Sequence, residues 1–273
     1  MSNREKPDWS FTVTELYCMS LENFNLIEIL GEGAIGEVHL AEYKINGRLY
    51  ALKIVKYKHA KKILYGLDIC TTFKHENLVS CYGHFSQTYK NKKCIIIIME
   101  FVQGNDLFDI FMENDNNYIL FILPTIIQGV IRGLKYMHKK GYIHRDIKLE
   151  NIILTRDNKI KIVDYDFIIA EDTIDIDSRC GTPYYVSPEI LGDNTIDHRT
   201  DIWSLGVVLY TLLTRDYPFD GEDEIEVFEN ILSENPSLNK IPSNYIVIVT
   251  GMLQKRLEKR ITLKRISKIL KGK

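Results

Sequence analysis

The chain has 273 residues, 45% hydrophobic and 26% charged, which is apolar material for one large domain or two modest ones. Thirty-five Lys and Arg against 37 Asp and Glu leave a formal net charge of −2. That balance carries no electrostatic footprint for nucleic acid or an anionic membrane, so neither is expected as a partner.

The five cysteines, at 18, 70, 81, 94 and 180, form no Cys-x-x-Cys pair. They read as reduced thiols of an intracellular protein, cytoplasmic or nuclear. The uninterrupted apolar runs, from Cys94 to Met99 and from Ile119 onward, fall short of a membrane span. Polar and charged residues come first at the N-terminus, unlike a signal peptide.

Residues 1–23 lack a clear period and read as a poorly ordered lead-in, with Leu16 and Tyr17 able to dock. From Phe24 the pattern alternates between glycines, predicting strands over 26–30, 37–43 and 48–57, with Asn46-Gly47 as a hairpin turn. A helix is expected within 58–73, then strands over 78–85 and 93–101, the run Ile95 to Ile98 being a buried central strand. After Gln103-Gly104 the period becomes helical, over 107–111, 119–137 and 201–213. The last is apolar on almost every side and belongs in the middle of a helical layer.

Two stretches carry chemistry. Gly31-Glu32-Gly33-Ala34-Ile35-Gly36-Glu37-Val38 is a glycine-rich turn of the form G-x-G-x-x-G-x-V, in which missing Cβ atoms let backbone amides approach phosphate oxygens. A dinucleotide fold shares the spacing but needs a helix straight after the glycines, and Val38 to Tyr43 alternates as a strand does. The second stretch, Tyr142 to Leu154, places Asp146, Lys148 and Asn151 within six positions between short apolar runs that read as buried strands.

His144-Arg145-Asp146-Ile147-Lys148-Leu149-Glu150-Asn151 resembles the catalytic loop of the eukaryotic protein kinases, with Lys two residues after Asp as in their serine/threonine branch. The glycine turn, Tyr50-Ala51-Leu52-Lys53 and Gly181-Thr182-Pro183-Tyr184-Tyr185-Val186-Ser187-Pro188-Glu189 extend the likeness over roughly residues 24–270. The resemblance implies a bilobal α+β fold. A small antiparallel sheet lobe with one helix would span 24–102, a larger helical lobe 103–273, with a cleft between them for ATP and Mg²⁺.

By the same resemblance, Leu30 and the glycine turn through Val38 would hold the nucleotide, with Val38, Ala51 and Ile153 around the adenine. Met99 would stand at the back of the pocket, and Glu100 and Val102 would offer backbone hydrogen bonds to the ring. Lys53 would pair with the α- and β-phosphates, Asp146 would accept the substrate hydroxyl proton, and Lys148 would neutralise the transferring group. Asn151 and Asp164 would hold Mg²⁺ through oxygen. Thr182 would bond near Asp146 and Lys148, Glu189 would pair with Arg260, and Asp201 would brace the catalytic loop.

The platform at 181–189, where Ser187 replaces the family's usual Ala, implies a protein substrate rather than a small molecule. Asp106 and Glu150 stand where basic-directed members carry carboxylates, so Arg or Lys is expected before the phosphoacceptor. Residues 75–79 and 180–183 resemble the branch holding calmodulin-dependent, AMP-activated and checkpoint kinases, which suggests a signalling or cell-cycle role in a monomer.

Two departures stand out. The small-lobe helix of the family supplies a Glu to the strand lysine, but the matching position is Gly66, with Asp68 two residues on. Either the register shifts to bring Asp68 to Lys53 or the lysine lacks that carboxylate. Asp164-Tyr165-Asp166 also stands where Asp-Phe-Gly is expected, restricting the backbone at a switch point. An active kinase is the favoured reading, and an ATP-binding pseudokinase scaffold the alternative. Ser178 is the candidate phosphosite, while Glu171, Asp172, Asp175 and Asp177 could pair with Arg145 without modification.

Overall fold

The computed structural model describes residues 11, 13–33, 35–171, 182–192 and 196–272. The chain divides into two compact units, residues 1–74 with 79–102, and residues 75–78 with 103–273.

In the first unit, a short helix α1 (Val13–Tyr17) precedes strands β1 (Phe24–Glu32), β2 (Gly36–Tyr43) and β3 (Arg48–Lys56), then helix α2 (Ala60–Cys70), then β4 (Cys81–Tyr89) and β5 (Lys92–Glu100). The five strands form one antiparallel sheet in the order β1-β2-β3-β5-β4. β5 lies between β3 and β4, which is why Cys94 to Ile98 is buried on both faces of the pleat. Each such Ile contributes roughly 2 kcal/mol of burial. The β2–β3 connection is a four-residue loop in which Gly47 takes φ +68, a conformation open to glycine, and Asn46 caps the Arg48 amide.

The lead-in is not loose where it is described. Phe11, Leu16 and Met19 pack on the sheet face formed by Phe24, Tyr43, Tyr50, Leu52 and Ile96. The Phe11 ring lies 5.4 Å from both Tyr43 and Tyr50. Of the two residues expected to dock, Leu16 does so, against Gly83, while Tyr17 is exposed. An aperiodic stretch gives no hint of this, because its apolar residues are matched to a distant sheet rather than to one another.

The second unit begins with β6 (Gly104–Asp106), α3 (Leu107–Glu113), the long α4 (Asn116–Lys139) and β7 (Tyr142–Ile143). Next come β8 (Ile152–Thr155), β9 (Ile160–Ile162), β10 (Ile169–Ala170) and α5 (Pro188–Leu191). Helices α6 (Arg199–Thr214), α7 (Glu224–Ser233), α8 (Ser243–Met252) and α9 (Leu263–Lys271) complete it. Two small sheets, β6-β8-β9 and β7-β10, carry the loops between them. α4 is long and apolar enough, by length and composition, to cross a membrane. Its apolar residues instead pack against β7, β9, α6 and α9, as a core helix does. α6 is buried from Thr200 to Thr214, with Trp203 stacked on Phe219 at 5.5 Å. The segment expected as a strand over 78–85 starts later, at Cys81, because Leu78 bridges to Ile162 in the second unit.

Candidate active site

Within the first unit, strand register assembles the residues expected at the nucleotide. Val38 pairs with Lys53, Leu40 with Ala51, and Ala51 with Met99 on β5. Lys53 is 7% exposed, an ammonium held within the sheet unit rather than on an edge. The glycines differ in what demands them. A Cβ on Gly36 would sit 2.0 Å from the Ile54 carbonyl oxygen, so packing requires glycine there. Among the described residues, Gly31 has nothing within 4 Å of such a Cβ, Gly33 only an atom at 4.0 Å, and neither has positive φ. Fold and packing leave both positions unconstrained, so their bare backbone suits an incoming group.

Glu37, counted among the nucleotide residues, is turned to the Lys90 ammonium at 2.9 and 3.0 Å. Burial pushes its carboxyl up, but Lys90 and His39 outweigh that and hold it below the usual range. Leu30 and Glu32 are exposed, Ile35 and Val102 are half-buried, and Ala34 lies outside the described residues. On α2, Gly66 is buried and Asp68 is exposed, with no ion-pair partner among the described residues. The register shift that would bring Asp68 to Lys53 does not occur.

Within the second unit, the polar segment after β7 folds into one network. Asn151, in a 3-10 turn over Leu149–Asn151, donates through Nδ2 to the Asp146 carbonyl and to its Oδ2, both at 2.8 Å. Lys148 Nζ lies 3.2 Å from Asp146 Oδ2 and donates to Thr182 Oγ1 at 3.0 Å. Thr182 Oγ1 is 3.4 Å from Asp146 Oδ1. The Val163 amide donates to the Asn151 carbonyl at 2.9 Å, which sets Asp164 beside Asn151 in the chain path.

The loop is held in a costly shape. Arg145 takes φ +66 and Asp164 φ +65, left-handed values that cost a non-glycine residue roughly 1–2 kcal/mol each. Asp201, fully buried on α6, accepts the His144 and Arg145 amides at 3.0 and 2.9 Å and the His138 ring at 2.7 Å. Burial pushes the Asp201 carboxyl up, but His138 and the amides outweigh it and hold the pKa below the ordinary range. The Asp164 carboxylate accepts the Asp166 backbone amide at 3.1 Å, a local turn bond that does not depend on the side chain at 166. Tyr165 is buried, its ring 5.8 Å from His144.

The segment from Thr182 is locked down by Glu189, which pairs with both terminal nitrogens of Arg260 at 2.7 and 2.8 Å and accepts Thr200 Oγ1 at 2.8 Å. Arg260 also lies over the Trp203 ring at 5.2 Å. Ile153 is half-buried on β8, opposite Asp106. Asp106 N-caps α3, accepting the Asp109 amide at 2.9 Å, and burial pushes its carboxyl up. Glu150 is exposed. Glu171 does not pair with Arg145: it bonds His198 Nδ1 at 2.6 Å, and Arg145 Nε donates to the Phe167 carbonyl at 2.7 Å. Glu171 directly follows β10 and also accepts the His198 amide, at 3.1 Å, just before α6. Ser178, Asp172, Asp175 and Asp177 lie outside the described residues.

Sequence reasoning missed His138, Thr200 and the stacked rings of Tyr184 and Tyr217, 4.2 Å apart. Along the chain His138 is visible only as a histidine in the last turn of a helix, a common and uninformative placement. For Mg²⁺ the donors fit: the Asn151 amide is oriented by Asp146 so that its oxygen is the group left to coordinate, and Asp164 adds a carboxylate.

Comparison with known proteins agrees. The model of the protein kinase domain matches residues 24–270. Protein kinase C delta type of Mus musculus is 35% identical over 227 residues, 80% of this chain and 33% of that protein. Protein kinase C-like 1 of Saccharomyces cerevisiae is 36% identical over 261 residues, 89% and 22% respectively. Protein kinase C of Aspergillus fumigatus is 31% identical over 257 residues, 89% and 22%. The chain therefore spans a third or less of the length of these relatives. With the glycine turn, the buried lysine and the Asp146 network all inside the matched span, the chain belongs to the protein kinase domain family.

Proposed function

We propose that the protein is an active serine/threonine protein kinase that transfers the γ-phosphate of ATP to hydroxyls of protein substrates. The observation that carries this reading is the second unit's network. Asp146 is held by Asn151 and reached by both Lys148 and Thr182. In that arrangement Asp146 orients the attacking hydroxyl and takes its proton, while Lys148 stands beside it to balance charge on the transferring group. Thr182, through Lys148, ties the peptide platform to the reacting group, which fits a Ser/Thr substrate. Asn151 and Asp164 would hold Mg²⁺, which would supply charge neutralisation on the phosphates.

Asp106 and Glu150 favour peptides with Arg or Lys before the phosphoacceptor, through charge-assisted bonds. The calmodulin-dependent, AMP-activated and checkpoint placement rests on residues 75–79 and 180–183 alone, whereas the relatives reported above all carry protein kinase C names. A pseudokinase scaffold remains the second reading because α2 offers Lys53 no carboxylate, Asp68 facing solvent. Radiolabelled transfer to a basic peptide decides. The parent should phosphorylate it, and Asp146→Asn should lose about 10²–10⁴-fold in rate while its melting temperature still rises with Mg²⁺-ATP. Nucleotide binding with no transfer by the parent would leave the scaffold standing.

A further inference from the structure

The net charge of −2 conceals a segregated surface. α4 (residues 116–139) and α9 (residues 263–271) contain no Asp or Glu, yet carry Arg132, Lys135 and Lys139 on the first and Lys264, Arg265, Lys268 and Lys271 on the second. All seven are exposed. At about 100° per residue, Phe121, Gln128, Arg132, Lys135 and Lys139 fall within about 40° of one meridian of α4. The same spacing aligns Lys264, Lys268 and Lys271 on α9.

The two stripes adjoin. The helices pack together, and Lys135 Nζ donates to Ser267 Oγ at 2.6 Å. Burial, and then repulsion from Lys271, hold the Lys135 pKa below its ordinary value. Among the described residues, only Arg132 of these seven has a carboxylate within reach, Glu76 at 3.9 Å. Lys139 and the four cations of α9 have none among the described residues. Lys264 and Arg265 moreover occupy the first turn of α9, where the helix dipole disfavours positive charge. Among the described residues no carboxylate compensates for that placement, which suits an anionic partner outside the chain.

We propose that the joined faces of α4 and α9 form a docking surface for an anionic lipid bilayer. Phe121 selects lipid over other polyanions. It is 75% exposed and sits on the α4 stripe, about 20 Å along the axis from Lys135. A nucleic-acid platform interleaves aromatics with cations, whereas here the aromatic stands apart at one end, as an anchor entering the headgroup layer beside a basic row does. The apolar side of α9 is already buried at Leu263 and Ile266, so the helix contributes charge without inserting.

The test is flotation of the full chain with vesicles of phosphatidylcholine alone or with about one third phosphatidylserine. Binding should require phosphatidylserine and weaken as salt rises from about 0.1 to about 0.5 M. Lys135→Gln, Lys139→Gln and Lys268→Gln should each lower the partition coefficient about fivefold, and Phe121→Ser should lower it severalfold. Melting temperature and peptide phosphorylation should match the parent in every variant, which separates lost docking from lost folding. Equal binding to both vesicles, binding unchanged by these substitutions, or capture of a single-stranded oligonucleotide without vesicle binding would each overturn the proposal.

Discussion

Gly31, Gly33 and Gly36 look equivalent in a motif, yet they do different work. Ala at 36 must displace the backbone of β3, and Gly36→Ala is expected to cost about 3 kcal/mol in urea unfolding. Gly33→Ala should leave unfolding within about 0.5 kcal/mol of the parent while weakening ATP, read by nucleotide titration. Equal stability losses in both would refute the division of roles. Ser187 is a second case. It is fully buried and its hydroxyl has no partner among the described residues. Ser187→Ala should therefore be neutral or stabilise by about 1 kcal/mol. A clear loss of stability would show that the hydroxyl is satisfied after all.

Asp201 belongs to the same scale but has a pH signature. Its folded pKa lies below the ordinary carboxylate value, so its contribution is complete above about pH 4, the unfolded value, and is lost as pH falls through the lowered folded pKa. Asp201→Asn should lose stability at pH 7 and show a shallower decline through that acid window, measured by unfolding at a series of pH values. A parallel acid limb in parent and variant would contradict it.

At the scale of elements, the tie between α5 and the loop before α9 is the Glu189–Arg260 pair, fully buried and bonded at both ends. Removing one member leaves a buried charge unpaired, so Arg260→Ala should destabilise by about 3–5 kcal/mol. Replacing both members should cost less than the single change, the mark of desolvation rather than of a net-favourable bridge. Denaturant titrations of the three variants test this. α2 shows what periodicity does not reveal: the helix was legible from spacing, but which side carries Gly66 and which Asp68 follows from its packing, and the carboxylate turned out to face solvent. The lead-in is the converse, since Phe11 and Leu16 have no period yet find a place on a sheet built from residues farther along.

For the molecule as a whole, ligand linkage gives the broadest check. Mg²⁺-ATP at about a hundred times its dissociation constant should stabilise the chain by about 2.7 kcal/mol, a rise of several degrees in melting temperature. Chelating the metal should remove most of that rise if Asn151 and Asp164 hold it; an undiminished shift would place the affinity elsewhere. The antiparallel meander, the buried Ile run, the long helices and the residues of the reacting centre were all readable along the chain. Alternation, helical spacing and the residue types that phosphoryl transfer requires are local properties. The distribution of charge was not readable in that way, because a total of −2 averages over a surface on which folding brings the cations of α4 and α9 together. The linear chain by itself determined the element types and the chemistry of Asp146, Lys148 and Asn151. Only folding decided that His138 and Asp201 would pin the loop, that Glu171 would go to His198 rather than Arg145, and that the cations of α4 and α9 would share one face, since each joins residues whose separation along the chain carries no periodic signal.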